Sequence, residues 1–497
     1  MRKKILAAGI AAALLAVPFS GSVVGGLTVS AAENNSETEA DAENGGEDEA
    51  RSEDAASGED EADSEDTAEA SSEAGDSLPA GSILNIECFN EEFKTRVADH
   101  YPGYIEIDGE TGMIGDVTVR WTVTSTDMNA YQDRLDRILP DNEHKDPDER
   151  VDIFLAEDSF LGRYVDAKRS VTVTIENLGI TEDELSEQFP YTLEAASDRS
   201  GNIRGLTWQC TPGVLIYNRA IAEKVFGTTS PAEIQKHVKT WDKFMETAEQ
   251  MLDAGYSMTA SAADTFQAYA GSMSDYWISR DGEIKIPDNI NSWIVNSKEL
   301  VESGASTTSS MWSADWSTAT LMPEGNVFCC FGPEWMIRYC LSQEVVGSIA
   351  NTGGWAVCQG PAPFFWRGTW MFAARGTDNA ELIADIMRAM TTDEYIMANI
   401  RLTDGDFVNN RKVMEADAEN DIHALEILGG QNPTKIFIRN ADRISGVKTS
   451  RYDEICEAAV RGVAKKYFEG SYDFDQIEPY FVARVENNAG ITQVEPE

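Results

Sequence analysis

Histidine is scarce in this chain of 497 residues. Only His100, His144, His237 and His423 occur. No two stand at i, i+4 or in another ligand spacing, which argues against a histidine-based metal site. The signatures GxSxG and HExxH are absent, and so is a glycine-rich phosphate loop. The cysteines are Cys88, Cys210, Cys329, Cys330, Cys340, Cys358 and Cys456; their number is odd and no CxxC appears. In an exported chain such thiols imply buried sulfurs or an oxygen-poor habitat. Positive charge is also short: 40 Lys and Arg face 86 Asp and Glu, a net −46. A surface this acidic argues against nucleic acid or anionic lipid as a partner. Beyond the N-terminus no apolar run reaches the roughly 18 residues of a membrane span.

What is present begins with an export signal over 1–32. Arg2, Lys3 and Lys4 are its basic end, Ile5 to Val17 its apolar stretch, and Val29-Ser30-Ala31 its small-residue cleavage site. No cysteine precedes Cys88, so no lipid anchor is expected. Residues 33–80 form an acidic spacer. Glu33 to Ser77 holds 19 acidic residues against one basic residue and no aromatic. Such a segment cannot bury enough surface to order itself.

From Ser82 onward, strands alternate with helices. Ile83 to Cys88, Val117 to Val123 and Val151 to Leu155 read as strands, separated by helical runs around Phe93 and Val97 and around Tyr131, Leu135 and Ile138. This predicts a parallel α/β sheet with ligands at the C-terminal strand ends. Asn90, Glu91 and Asp158 fall there, where they also suit helix caps or solvated loops. Val214 to Asn218 is a further strand, and Asn218 caps the helix after it. Ser230-Pro231-Ala232-Glu233 has the form of a capping box. Another helix starts after Thr240, with Phe244, Ala248, Met251 and Leu252 on one face.

The stretch from Val327 to Trp370 is aromatic and rich in turns. Val327 to Phe331 is a strand closed by Gly332-Pro333, with Glu334 and Trp335 in the loop beyond it. Trp335, Trp355, Trp366 and Trp370 lie within 36 positions, each near Gly or Pro. Flat rings on such loops suit a sugar, which has an apolar face and a polar edge. A hydrophobic core built with Trp fits the same pattern. Trp312 and Trp316, four apart, read as one helical face turned to the core. Along 364–370, strand alternation sends Phe365, Arg367 and Thr369 one way and Phe364, Trp366 and Trp370 largely the other.

Six segments, in order, resemble the extracellular solute-binding proteins of carbohydrate ABC importers. They are ILNIECFNEEF at 83–93, VLIYNR at 214–219, FGTTSPAEI at 226–234, TWDKFMETA at 240–248, FCCFGPEW at 328–335 and GGQNP at 429–433. The resemblance implies an α/β, two-lobed, periplasmic-binding-protein-like (Venus flytrap) fold with several hinge crossings. It places an N-lobe over 81–208 and 361–428 and a C-lobe over 209–360 and 429–497. It implies a monomer that binds a mono- or oligosaccharide in the cleft and delivers it to ABC permease subunits, without turnover, cofactor or metal. The candidate ligand-binding residues are Asn90, Glu91, Asp158, Trp208, Asp264, Glu334, Trp335, Trp355, Phe365, Trp366, Arg367 and Trp370. Asp264 belongs to a DTFQAY segment that matches a family loop near the cleft. The family tends to carry a small residue where Arg367 stands, so a cation there would narrow the cleft or favour an acidic sugar. Two other readings stay open: a carbohydrate-active enzyme using Glu91, Asp158 or Glu334, and a surface protein binding another solute such as a peptide.

Overall fold

The computed structural model of the protein describes residues 81–488, apart from 167–169, 272, 274 and 342–345, together with a short strand pair, Val23–Val24 and Leu27–Thr28. Except for that pair, the expected export signal and the acidic spacer lie outside the described residues.

Ten strands in two sheets organise the described chain: β1 (Ile83–Cys88), β2 (Tyr104–Glu106), β3 (Thr111–Ile114), β4 (Val117–Val123), β5 (Ile153–Glu157), β6 (Gly205–Leu206), β7 (Val214–Asn218), β8 (Cys329–Gly332), β9 (Trp355–Cys358) and β10 (Thr369–Ala373). The first lobe holds a seven-stranded sheet in the order β2-β3-β4-β1-β5-β10-β6, and the second holds β8-β7-β9. All residues of β5, β7, β8, β9 and β10 are buried, as in sheets covered on both faces. β1 lies parallel to β4 and β5, so the C-terminal ends of all three open on one edge. β10 runs antiparallel to β5, and Thr369 pairs with Glu157 there. The parallel arrangement expected of β1, β4 and β5 is present, but β2, β3, β10 and β6 are joined to that sheet by antiparallel pairings, and the second lobe's sheet is antiparallel. The connection from β7 to β8 carries several helices, and that from β8 to β9 only the short helices Met336–Leu341 and Ile349–Thr352.

β5 begins two residues later than the sequence predicts. Val151 and Asp152 are taken up by side-chain bonds: the Val151 amide donates to Asn142 Oδ1 (2.8 Å) and Asp152 Oδ2 accepts the Asn85 amide (2.7 Å). Asn218 caps its helix as expected, accepting from the Ala220 and Ile221 amides. The capping box at Ser230 does not form. The helix does start at Pro231, but the Ser230 side chain makes no cap bond and Glu233 pairs with Lys236 instead. Trp312 and Trp316 do not share a helical face either. Ser313 caps the helix Ala314–Leu321, which leaves Trp312 outside it at a left-handed φ of 69°.

The chain passes between the sheets through 207–213 and returns through 359–368, and these passages bond to each other. The Gly213 amide donates to the Phe364 carbonyl (2.7 Å) and the Trp366 amide to that of Thr211 (3.1 Å). A Cβ on Gly213 would stand 2.0 Å from the Phe364 ring, so this approach requires glycine. The lobes also meet where helix Asp158–Val165 packs on helix Asp453–Phe468. Gly162 lies against the Ser450 carbonyl there, and Arg163 reaches Glu454 at 2.8 Å.

A buried ion cluster joins the end of β8 to three helices. Arg401 donates from Nη1 to both Glu334 oxygens (3.0 Å each) and from Nη2 to Asp417 (3.0 Å), and Arg338 also holds Glu334 at 2.6 Å. Burial opposes the Glu334 charge, but the two arginines outweigh it and hold its pKa below the usual range. Removing one partner of such a group typically costs about 3–5 kcal/mol. Arg401→Met should therefore lower the unfolding free energy by several kcal/mol in denaturant titration. A loss of under about 1 kcal/mol, the range of an exposed pair, would contradict this reading.

Candidate functional site

The shared edge of β1 and β5 presents its polar residues beside the start of β10. Asn90 is nearly buried, and its Oδ1 accepts the Glu92 amide at the head of helix Glu92–His100. Glu91 is exposed and paired with Lys94 (3.0 Å). Glu157 ends β5, and Asp158 opens the next helix. Arg367 stands over both. Its amide donates to Asp158 Oδ2 (3.3 Å), and its Nη1 bonds Glu157 and reaches Ser159 Oγ (3.2 Å). Burial, then repulsion from Glu457, pushes the Asp158 carboxyl up to about 8, against the attraction of Arg367.

The residue before Arg367 leads into an aromatic cluster. Trp366 packs edge-on against Trp335 (5.2 Å) and nearly parallel to Trp312 (6.4 Å, 20°), which in turn touches Trp316 (4.8 Å). Trp335 donates its indole N–H to the Trp366 carbonyl (3.3 Å), and both Trp335 and Trp312 keep part of their surface in water. Trp316 donates to Asp264, whose other bonds close a capping box with Ser261. Burial lifts Asp264 to about 7. A hollow of about 430 Å³ lies beside Trp316, lined by Thr307, Thr308, Ser309 and Asp315 among others. On helix Asp453–Phe468, Glu457 and Arg461 pair at 3.4 Å, and the Arg461 guanidinium lies 4.0 Å from the Phe266 ring centre.

The structure thus brings Asp158, Trp335, Trp366 and Arg367 into one region, with Asp264 behind Trp316. Asn90 lies on the same strand edge, with its Oδ1 on the Glu92 amide, but the others are elsewhere. Trp208 is fully buried in the first lobe against Phe93. Trp355 is fully buried in β9, and Trp370 is buried with its indole N–H on the Thr192 carbonyl (3.0 Å). None of these three offers a ring face to a ligand, because each occupies an inward position in a sheet or passage covered on both sides. Phe365 packs on Tyr191 (5.1 Å) and is interior; Trp366 is buried as well and belongs to the set only through its packing on the partly exposed Trp312 and Trp335. Glu334 is consumed by the ion cluster and Glu91 faces solvent, so the three carboxylates considered for an enzyme do not form one set. Glu157, Ser159, Trp312, Glu457 and Arg461 escaped sequence reasoning. The last two form an i, i+4 pair that reads as an ordinary solvated helix face.

A family model for bacterial extracellular solute-binding proteins matches residues 111–426. The chain belongs to that family. As a bacterial extracellular solute-binding protein it is exported, and no helix among the described residues is long and apolar enough to cross a membrane. A comparison with curated protein sequences gave no match. Solved structures share its two-lobed fold. One, described as an extracellular solute-binding protein family 1 member, is 16% identical with a TM-score of 0.68, over 82% of this chain and 99% of that one. The sugar-binding protein MalE of Xanthomonas citri is 13% identical with a TM-score of 0.59, over 82% and 97%. The galacto-N-biose/lacto-N-biose I-binding protein of Bifidobacterium longum, solved with lacto-N-biose, is 14% identical with a TM-score of 0.58, over 84% and 99%.

The raised carboxyls give this solute-binding protein a definite pH response. Asp152 (about 6), Asp264 (about 7) and Asp158 (about 8) are all lifted chiefly by burial. Unfolded, each releases its proton near pH 4. Between about pH 4 and 8 the folded state therefore holds more protons, and stability falls as pH rises. The thermal midpoint should be higher at pH 5 than at pH 8, and Asp264→Asn should flatten part of the slope. A midpoint that climbs from pH 5 to pH 8 would contradict these assignments.

Proposed function

We propose that the protein binds a sugar or oligosaccharide between its lobes and hands it, chemically unchanged, to an ABC permease. The observation that carries this is the Trp312–Trp335–Trp366 cluster set beside Asp158, Glu157 and Arg367. Indole faces take the CH-rich face of a sugar, and the adjoining charged groups take its hydroxyls. The binding of lacto-N-biose by one structural neighbour and the sugar-binding description of another support the same ligand class. In this reading the N-lobe comprises 81–208 and 361–428, and the C-lobe 209–360 and 429–497. The protein acts as a monomer after export.

Closure over the ligand is a population shift, driven by contacts that exist only when both lobes touch the sugar. Intrinsic tryptophan fluorescence against a panel of mono- and oligosaccharides should find a saturable change. Trp312→Ala and Trp366→Ala should each weaken that binding by more than about tenfold, the equivalent of some 1.4 kcal/mol. Trp312→Ala should leave thermal unfolding close to wild type. Loss of stability with unchanged affinity would make these rings core residues, and release of altered sugar in a timed assay would make the protein an enzyme.

A further inference from the structure

We propose that the two lobes are clasped directly to each other where helix Asp453–Phe468 meets helix Asp158–Val165, and that this clasp holds the lobes shut before any solute binds. The inference concerns the movement of the lobes and stands whichever solute the protein carries.

The clasp lies at the start of helix Asp453–Phe468. That helix belongs to the second lobe. Its Cys456, Val460 and Val463 share a core with Trp277 and Trp293, and among the described residues no member of that core comes from the first lobe. The beginning of the helix and the segment before it nevertheless meet the first lobe at four places. Gly162 lies so near the Ser450 carbonyl that a Cβ would stand 2.0 Å from it. Arg163 donates to Glu454 at 2.8 Å. Asp166 Oδ2 accepts the Arg451 amide at 3.4 Å, and Glu194 Oε2 accepts the Val447 amide at 2.9 Å. Each of these contacts runs from protein to protein, so none requires a solute between the lobes.

The chemistry of the seam suits a joint that holds and lets go. An apolar seam would fuse the lobes, because parting them would open a core to water. Here the contacts are amides, carboxylates, a guanidinium and a glycine, and each finds a substitute in water once the lobes separate. Arg163 and Glu454 keep 24% and 28% of their side chains exposed, so solvent already screens their attraction in part. Contacts made in one arrangement of the lobes and lost in the other bias the population toward the first.

Gly162 marks the closest approach. It stands in the interior of helix Asp158–Val165, where glycine is a poor helix former. Its backbone is helical, so the position does not use glycine's left-handed freedom. The missing side chain serves the Ser450 carbonyl instead, and any side chain there must push the second lobe away.

The test compares the full protein with Gly162→Ala, Gly162→Leu and Glu454→Ala, with no sugar added, by small-angle scattering and by hydrogen exchange over 444–452. The variants should have a larger radius of gyration than the wild type. Exchange over 444–452 should quicken at least about tenfold in Gly162→Leu. Raising salt from about 0.05 to about 0.5 M should move the wild type in the same direction. Thermal midpoints should stay near wild type, since alanine and leucine are better helix formers than glycine. Should Gly162→Leu fail to fold, Gly162→Ala and Glu454→Ala give the same readouts. Scattering and exchange equal to wild type in the folded variants would overturn the proposal. So would a lower thermal midpoint at an unchanged radius, because the seam would then be a fixed part of the fold. Neither result touches the sugar-binding reading.

Discussion

The Gly213–Phe364 and Trp366–Thr211 backbone bonds tie two passages of the chain into one ribbon between the lobes. Everything in the site depends on the direction this ribbon gives to its side chains. Phe364 faces Phe331 of the second lobe, and Phe365 faces Tyr191 of the first. Trp366 then turns to Trp335 and Trp312, while Arg367 turns back to Glu157. Adjacent residues thereby supply an indole to one wall and a guanidinium to the other. The left-handed turn at Arg367 and Gly368 ends this alternation, so Trp370 enters the interior of β10.

Two further constraints keep the walls in register. The Glu334–Arg401–Asp417 cluster anchors the loop that carries Trp335, because a buried charge must stay beside its partners. The close packing of Gly162 on the Ser450 carbonyl seats helix Asp453–Phe468 against helix Asp158–Val165. That contact sets Glu457 close enough to Asp158 to help raise its pKa.

Much of the fold was legible in the sequence. β1, β4 and β7 were read to the residue because their apolar runs are short and bounded by polar turns. The site was less legible, for a physical reason. A tryptophan beside glycine or proline looks the same whether tertiary packing turns it outward, as at Trp335, or inward, as at Trp355 and Trp208. The position of Trp312 follows from a cap at Ser313 that competes with helical spacing. Glu457 and Arg461 carry no signal of their own. Glu457 comes near Asp158 only because its helix packs on the helix that Asp158 opens.

The most direct measurement is a crystal structure of the protein with the saccharide that it binds most tightly. The account predicts the sugar between the ends of β1 and β5 and the Trp312–Trp335–Trp366 cluster, touching Trp366 or Trp312 on one side and Arg367 on the other. A sugar held elsewhere, with these residues packed only against each other, would contradict it.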